Sequence, residues 1–269
     1  FSFRRTRSPG YIKIRLRLLY RFHFAFIKIY FHTAKMTRIV GLIGGMSWQT
    51  TALYYEVINK HVCSKLGGIH SANLLIRSVD YADIGRLVKT GDFDGMIEML
   101  SNCGQELKSA GAQSLALCAN VAHKAVDTLE KRCGLPVLHI ADFTGQEIAN
   151  RGFKKVGMLG TRAVMEEDFY KGRLRDRYGL DVVVPNQKFR DNVDRLIFGE
   201  LCKQQIAEDV KSAFEDAYNA LIHDSNVDCI VLACTELRPV FNVEEMGESV
   251  FETTTLHAKG IAEWALRQK

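Results

Sequence analysis

The sequence contains one cysteine context twice, at a constant spacing. Val40-Gly41-Leu42-Ile43-Gly44 stands ahead of Leu117-Cys118-Ala119-Asn120, and Val156-Gly157-Met158-Leu159-Gly160 stands ahead of Ala233-Cys234-Thr235-Glu236. Val40 and Val156 are 116 positions apart, as are Cys118 and Cys234. A repeat that keeps register over this length points to a duplicated structural unit. Each copy ends an apolar, strand-like run in a cysteine, so two facing copies would bring two thiols to one cleft. Such a pair suits a reaction that removes a proton from one face of a carbon and returns one to the other.

Apolar periodicity predicts the elements of each unit. Arg38–Ile43 reads as a strand with Gly44-Gly45 as its turn. Leu53, Val57, Ile58, Val62 and Leu66 mark the next helix, and Gly67-Gly68 stops it. Asn73–Ser78, Ser114–Cys118 and Pro136–Ile140 read as strands, and Asn120 is placed to cap a helix through His123 and Leu129. In the second half, Lys155–Leu159, Asp181–Val184 and Ile230–Ala233 are strands, and Ile206, Val210, Phe214, Ala217 and Leu221 line a long helix. Strands alternating with helices predict an α/β fold: two pseudo-symmetric domains, each a parallel sheet flanked by helices, with right-handed crossovers. Ligands in such folds bind beyond the carboxyl ends of the strands, which puts the active site in the interdomain cleft. The expected boundaries are 36–139 for the first domain, with 250–269 returning to it, and 140–249 for the second.

Residues 1–35 form a basic N-terminal extension, expected to lie outside the fold. They hold nine Lys and Arg and no acidic residue, which leaves 27 basic against 31 acidic residues in the remainder. The mildly acidic body argues against a nucleic-acid partner, and charges interrupt the apolar run 11–31, which argues against a membrane span. Arg-rich, acid-free composition also fits an organelle transit peptide; the favoured expectation is a cytoplasmic protein. Seven cysteines at scattered spacings suggest free thiols in a reducing compartment. Cys63, Cys103, Cys133, Cys202 and Cys229 read as ordinary packing residues. His61, Cys63 and His70 lack the paired spacing of a metal site, so no metal is expected.

A cysteine where a strand meets a helix N-terminus has a reason to be reactive, because free N–H groups and the helix dipole favour the thiolate. A single such cysteine is more readily a small core residue; two at equivalent points of a repeat favour catalysis. Asn120 and Thr235 can donate hydrogen bonds into the same pocket, and the turn Gly44-Gly45-Met46-Ser47 offers N–H groups and a hydroxyl for a carboxylate.

Ile43-Gly44-Gly45-Met46-Ser47-Trp48, Leu117-Cys118-Ala119-Asn120, Ala233-Cys234-Thr235-Glu236-Leu237 and Phe251-Glu252-Thr253-Thr254 resemble the signature stretches of the aspartate/glutamate racemase family, most closely its broad-specificity amino-acid racemase branch. The resemblance covers residues 36–269. It implies a cofactor-independent racemase acting on aspartate, glutamate or related amino acids, usually as a homodimer. It matches Cys118 and Cys234 to the acid/base pair, and Met46, Ser47, Asn120 and Thr235 to substrate-binding positions. Val121 stands where the family usually has Thr, which removes a hydroxyl from the expected carboxylate site. His123 also fits the branch. Lys171 and Arg77 are the local candidates for holding a distal carboxylate, and each taken alone reads more readily as a solvated charge. Two alternatives stay open: a superfamily diacid decarboxylase or isomerase, and a non-catalytic amino-acid-binding protein.

Overall fold

The computed structural model describes residues 37–201, 206–243 and 245–267. The basic extension and Cys202 lie outside them. Arg38–Arg267 forms one compact unit.

Two parallel sheets organise this unit. The first has the order β2-β1-β3, from β1 (Val40–Gly44), β2 (Leu74–Ser78) and β3 (Ser114–Leu117). The second has the order β5-β4-β6-β7, from β4 (Lys155–Gly160), β5 (Asp181–Val183), β6 (Cys229–Ala233) and β7 (Val250–Glu252). The neighbouring pairs β1–β3 and β4–β6 carry the sequence repeat: β1 corresponds to β4, and β3 to β6.

Alternating side chains divide the core among four helical layers. Leu42, Ala116 and Cys118 face α1 (Trp48–Leu66) and α10 (Thr253–Leu266) through Tyr54, Ile58, Val62, Ala258 and Ile261. Ile43, Leu115 and Leu117 face α2 (Tyr81–Thr90), α3 (Phe93–Ser109) and α4 (Val126–Cys133). In the second sheet, Met158 and Val231 pack on α5 (Ile140–Asn150) and α7 (Asp168–Tyr178), with the short α6 (Arg162–Glu166) between β4 and α7. Ile230, Leu232 and Cys234 pack on α8 (Gln187–Gly199) and α9 (Glu208–Ser225).

Two expectations are corrected here. The strand expected at Pro136–Ile140 shrinks to one bridge, Val137 beside Leu115, held by Leu115 N to Pro136 O at 2.9 Å and Leu138 N to Leu115 O at 2.8 Å. His139 then turns the chain into α5, its Nδ1 accepting from Ala141 N at 3.1 Å. Asn120 does not cap a helix: it has helical φ and ψ, and a 3₁₀ turn (Val121–Ala125) precedes α4.

Residues 250–252 extend the second sheet as β7, and only from Thr253 does the chain pack back on α1. Glu252 is buried at this join. Its carboxylate accepts from Thr254 N at 2.7 Å and Thr255 N at 2.9 Å, and from Arg238 Nη1 at 3.3 Å. Among the described residues no helix is long and apolar enough to cross a membrane.

Gly45 sets the exit from β1. Its φ is +87°, and a Cβ there would lie 2.0 Å from the Val79 carbonyl oxygen. Gly91 also has positive φ, +74°, with nothing within 4 Å of its would-be Cβ. Gly91→Ala is therefore expected to cost about 1–2 kcal/mol, the left-handed penalty alone. Gly45→Ala adds a backbone collision and should cost about 3–5 kcal/mol. Denaturant midpoints of the two variants measure the difference; equal losses would show that the turn yields.

Candidate active site

The first element of the site is the turn after β1. Ser47 has φ +129°, a strained value for a residue with a Cβ. Its hydroxyl caps α1 by accepting from Thr50 N at 3.4 Å, and its carbonyl accepts from Thr51 Oγ1 at 3.0 Å. The N–H of Gly45 is not free for a ligand, because it donates to Thr51 Oγ1 at 2.8 Å. The turn is thus tied to the helix it begins.

Cys118 follows β3 directly, its N–H donating to Ile43 O at 3.0 Å. It is fully buried in the layer between the first sheet, α1 and α10. The depressed thiol pKa expected from the helix terminus is not found: burial pushes the Cys118 thiol up, since no nearby cation offsets the desolvation of a thiolate.

A histidine network supports this loop. His123 Nδ1–H donates to Ala119 O at 2.9 Å, and its Nε2 accepts from Ile140 N at 3.1 Å. His257 Nε2–H donates to Leu138 O at 2.7 Å, so its Nδ1 accepts the Tyr54 hydroxyl at 2.8 Å. The ring centroids of His123 and His139 are 4.6 Å apart. Burial holds all three histidines neutral, with His123 lowered to about 4 and His139 and His257 well below their ordinary value.

Cys234 closes β6. Its thiol donates to Glu236 Oε2 at 3.2 Å, and the Thr235 hydroxyl donates to the same oxygen at 2.5 Å. Thr253 connects the two cysteine loops. It accepts from Asn120 Nδ2 at 3.2 Å and donates to Leu232 O at 3.0 Å. The Phe251-Glu252-Thr253-Thr254 stretch is therefore a brace between the two motifs.

Met46, Asn120, Val121, Cys234 and Thr235 all line one small chamber of about 40 Å³. That volume holds roughly two or three waters, less than an amino acid requires. Larger cavities flank it: one of about 530 Å³ contains Ser47 and shares Tyr81, Thr235 and Glu236 with the chamber; the other, about 620 Å³, shares Val88, Val121, Thr161 and Phe198. Cys118 is fully buried and does not line the chamber, whereas the three residues after it, Ala119, Asn120 and Val121, do.

Lys171 lines neither the chamber nor the two cavities beside it. It follows Tyr170, which α7 turns into the core, and so lies off that helix's inner face. Arg77 is also outside, exposed and paired with Glu106 at 2.6 Å. His61 pairs with Glu263 at 2.7 Å, and the described residues hold no cluster of three potential metal ligands.

Among the chamber residues that sequence reading gave no role are the polar Thr161 and Glu236. Thr161 is the repeat counterpart of Gly45, by the same 116-residue spacing, and that offset could have found it. Its hydroxyl is buried without a partner, as is Asn120 Oδ1. Glu236 lay within a quoted motif, but its contact with Cys234 is visible only in three dimensions.

The model of the Asp/Glu/hydantoin racemase family matches residues 43–261. The chain belongs to this family. A structure from Yersinia pestis, provisionally assigned as an Asp/Glu racemase, is 42% identical with a TM-score of 0.78, over 86% of this chain and 100% of that one. An aspartate racemase homologue from Pyrococcus horikoshii OT3 is 28% identical with a TM-score of 0.71, over the same shares. The broad-specificity amino-acid racemase RacX of Bacillus subtilis is 23% identical over 228 residues, 82% of this chain and 95% of RacX. As a member of this racemase family, the chain is an enzyme of the isomerase class.

Proposed function

We propose that the chain is a cofactor-independent amino-acid racemase in which Cys118 and Cys234 act on opposite faces of the α-carbon. One thiolate takes the α-proton, leaving a carbanionic substrate. The other thiol gives its proton to the opposite face. The proton count balances, and the thiolate and thiol have exchanged places. The observation that carries this reading is the equivalence of the two cysteines: each directly follows the strand beside the central strand of its sheet, and Thr253 bridges the loops around them. In this reading each half, 36–139 and 140–249, supplies one acid/base group.

Asn120, Thr161, Thr235, Ser47 and Met46 would hold the amino acid, with Val121 shaping the wall. Donors fixed near the carboxylate stabilise the charge that develops on deprotonation, usually the largest catalytic contribution. Widening of the chamber must accompany substrate entry and would also let the substrate reach Cys118. We carry over the family's homodimer and a cytoplasmic location as parts of the same proposal.

Incubation with a panel of L-amino acids in D₂O, followed by NMR of the α-proton, tests the activity. Enantiomer appearance with deuterium incorporation is expected. Binding without exchange would favour the non-catalytic alternative.

Glu236 would orient Cys234 through the hydrogen bond that its Oε2 accepts from the thiol. Glu236→Gln removes that acceptor and is expected to lower kcat/KM on the order of 10²-fold. It also removes a negative neighbour that disfavours the thiolate, so the pH limb belonging to Cys234 should move to lower pH. A pH–rate profile of the folded variant checks both; an unchanged rate and limb would detach Glu236 from the chemistry.

A further inference from the structure

The racemase reading leaves open which side chain the substrate carries, and the chamber walls bear on that choice. The polar groups gather at the cysteine end, in Asn120, Thr161, Thr235 and Glu236. The remaining wall is mostly apolar, built from Met46, Ile84 and Val88 on one side and Ile197 and Phe198 of α8 on the other, with Tyr81 among them. Among the described residues, no Lys, Arg or His lines the chamber. Of the nearby cations, Lys124 pairs with Glu167 at 2.5 Å, Arg162 with Asp191 at 3.1 Å, and Arg238 with the buried Glu252 at 3.3 Å, while Lys89 and Arg195 line only the larger cavity that shares Val88 and Phe198 with the chamber.

We propose that this site takes an amino acid with an uncharged, apolar side chain, of the leucine or methionine class, and selects against a second carboxylate. The inference rests on the racemase reading and narrows it. Glu236 is a suitable counter-charge for the α-ammonium, and the hydroxyl and amide groups suit the α-carboxylate. A zwitterionic backbone is thereby matched at the polar end. A side-chain carboxylate would then meet Ile84, Val88, Ile197 and Phe198, with Glu236 as the chamber's carboxylate. A buried charge without a partner binds poorly, and selectivity here comes from that exclusion as much as from apolar contact.

The test compares kcat/KM on side chains of similar length: L-methionine against L-glutamate, and L-leucine against L-aspartate. The neutral member of each pair should be faster by about a hundredfold or more, the cost of leaving a buried charge unpaired. Equal or faster turnover of the acidic member overturns the inference while leaving the racemase intact, as does turnover confined to lysine or arginine. Exchange with no amino acid overturns the racemase reading itself. Val88→Lys, on the rim shared with the larger cavity, should raise the glutamate-to-methionine ratio at least about tenfold by supplying a counter-charge. An unchanged ratio in the folded variant would show that this wall does not meet the side chain.

Discussion

Replacing Cys118 or Cys234 by Ala is expected to lower racemisation by about 10²–10⁴-fold, the contribution of a positioned acid or base. The two losses should look different in isotope exchange. A variant keeping one thiol keeps a base on one face, so it can wash out the α-proton of one enantiomer only. Cys118→Ala and Cys234→Ala should therefore favour opposite enantiomers. Cys118 is fully buried, so its truncation also leaves a small void, and a thermal melt is needed to separate a lost acid/base group from a loosened core. Full racemisation by either folded variant would exclude the two-cysteine mechanism.

Stability is expected to fall steeply as pH drops below about 6.5, the ordinary histidine pKa. His123, His139 and His257 are buried and neutral, each with its folded-state pKa depressed by desolvation. The unfolded chain then binds protons that the folded chain does not. Their contribution is complete above the unfolded pKa and is lost on acidification. For His123 the window runs from 6.5 down to about 4. Each such group costs about 1.4 kcal/mol per pH unit inside its window, so three together approach about 4 kcal/mol per unit. Positive groups reinforce this: Arg173 faces both His123 and His139, with Asp142 partly compensating near His123. Denaturant midpoints between pH 7 and 5 measure the slope. A flat profile would mean that these rings already carry protons in the fold.

The fold was legible because its signals are local and periodic. Short apolar runs ending in Gly44 and Gly160 became the central strands, and the constant spacing of Cys118 and Cys234 became two sheets of matching order. Reading failed where a neighbouring element decided the outcome. Pro136–Ile140 has strand composition, yet His139 caps a helix and limits pairing to a single bridge. β7 has only three residues, and its pairing with β6 makes it a strand.

The site divides in the same way. Sequence alone determined that two equivalent cysteines follow two equivalent strands, because covalent spacing fixes where a strand ends relative to its helix. It also identified Met46, Asn120, Val121 and Thr235, which line one chamber. Only the tertiary structure decided that Cys118 is buried outside that chamber's lining with its thiol held neutral, that Glu236 touches Cys234, and that Thr253 joins the two loops. It likewise put Lys171 and Arg77 outside and left the wall mostly apolar. These facts depend on how side chains are turned toward one another, from Cys234 and Glu236 two positions apart to Asn120 and Thr253, 133 apart, and on what surrounds each charge. Desolvation and pairing are properties of a packed environment, and no residue carries them in the chain by itself.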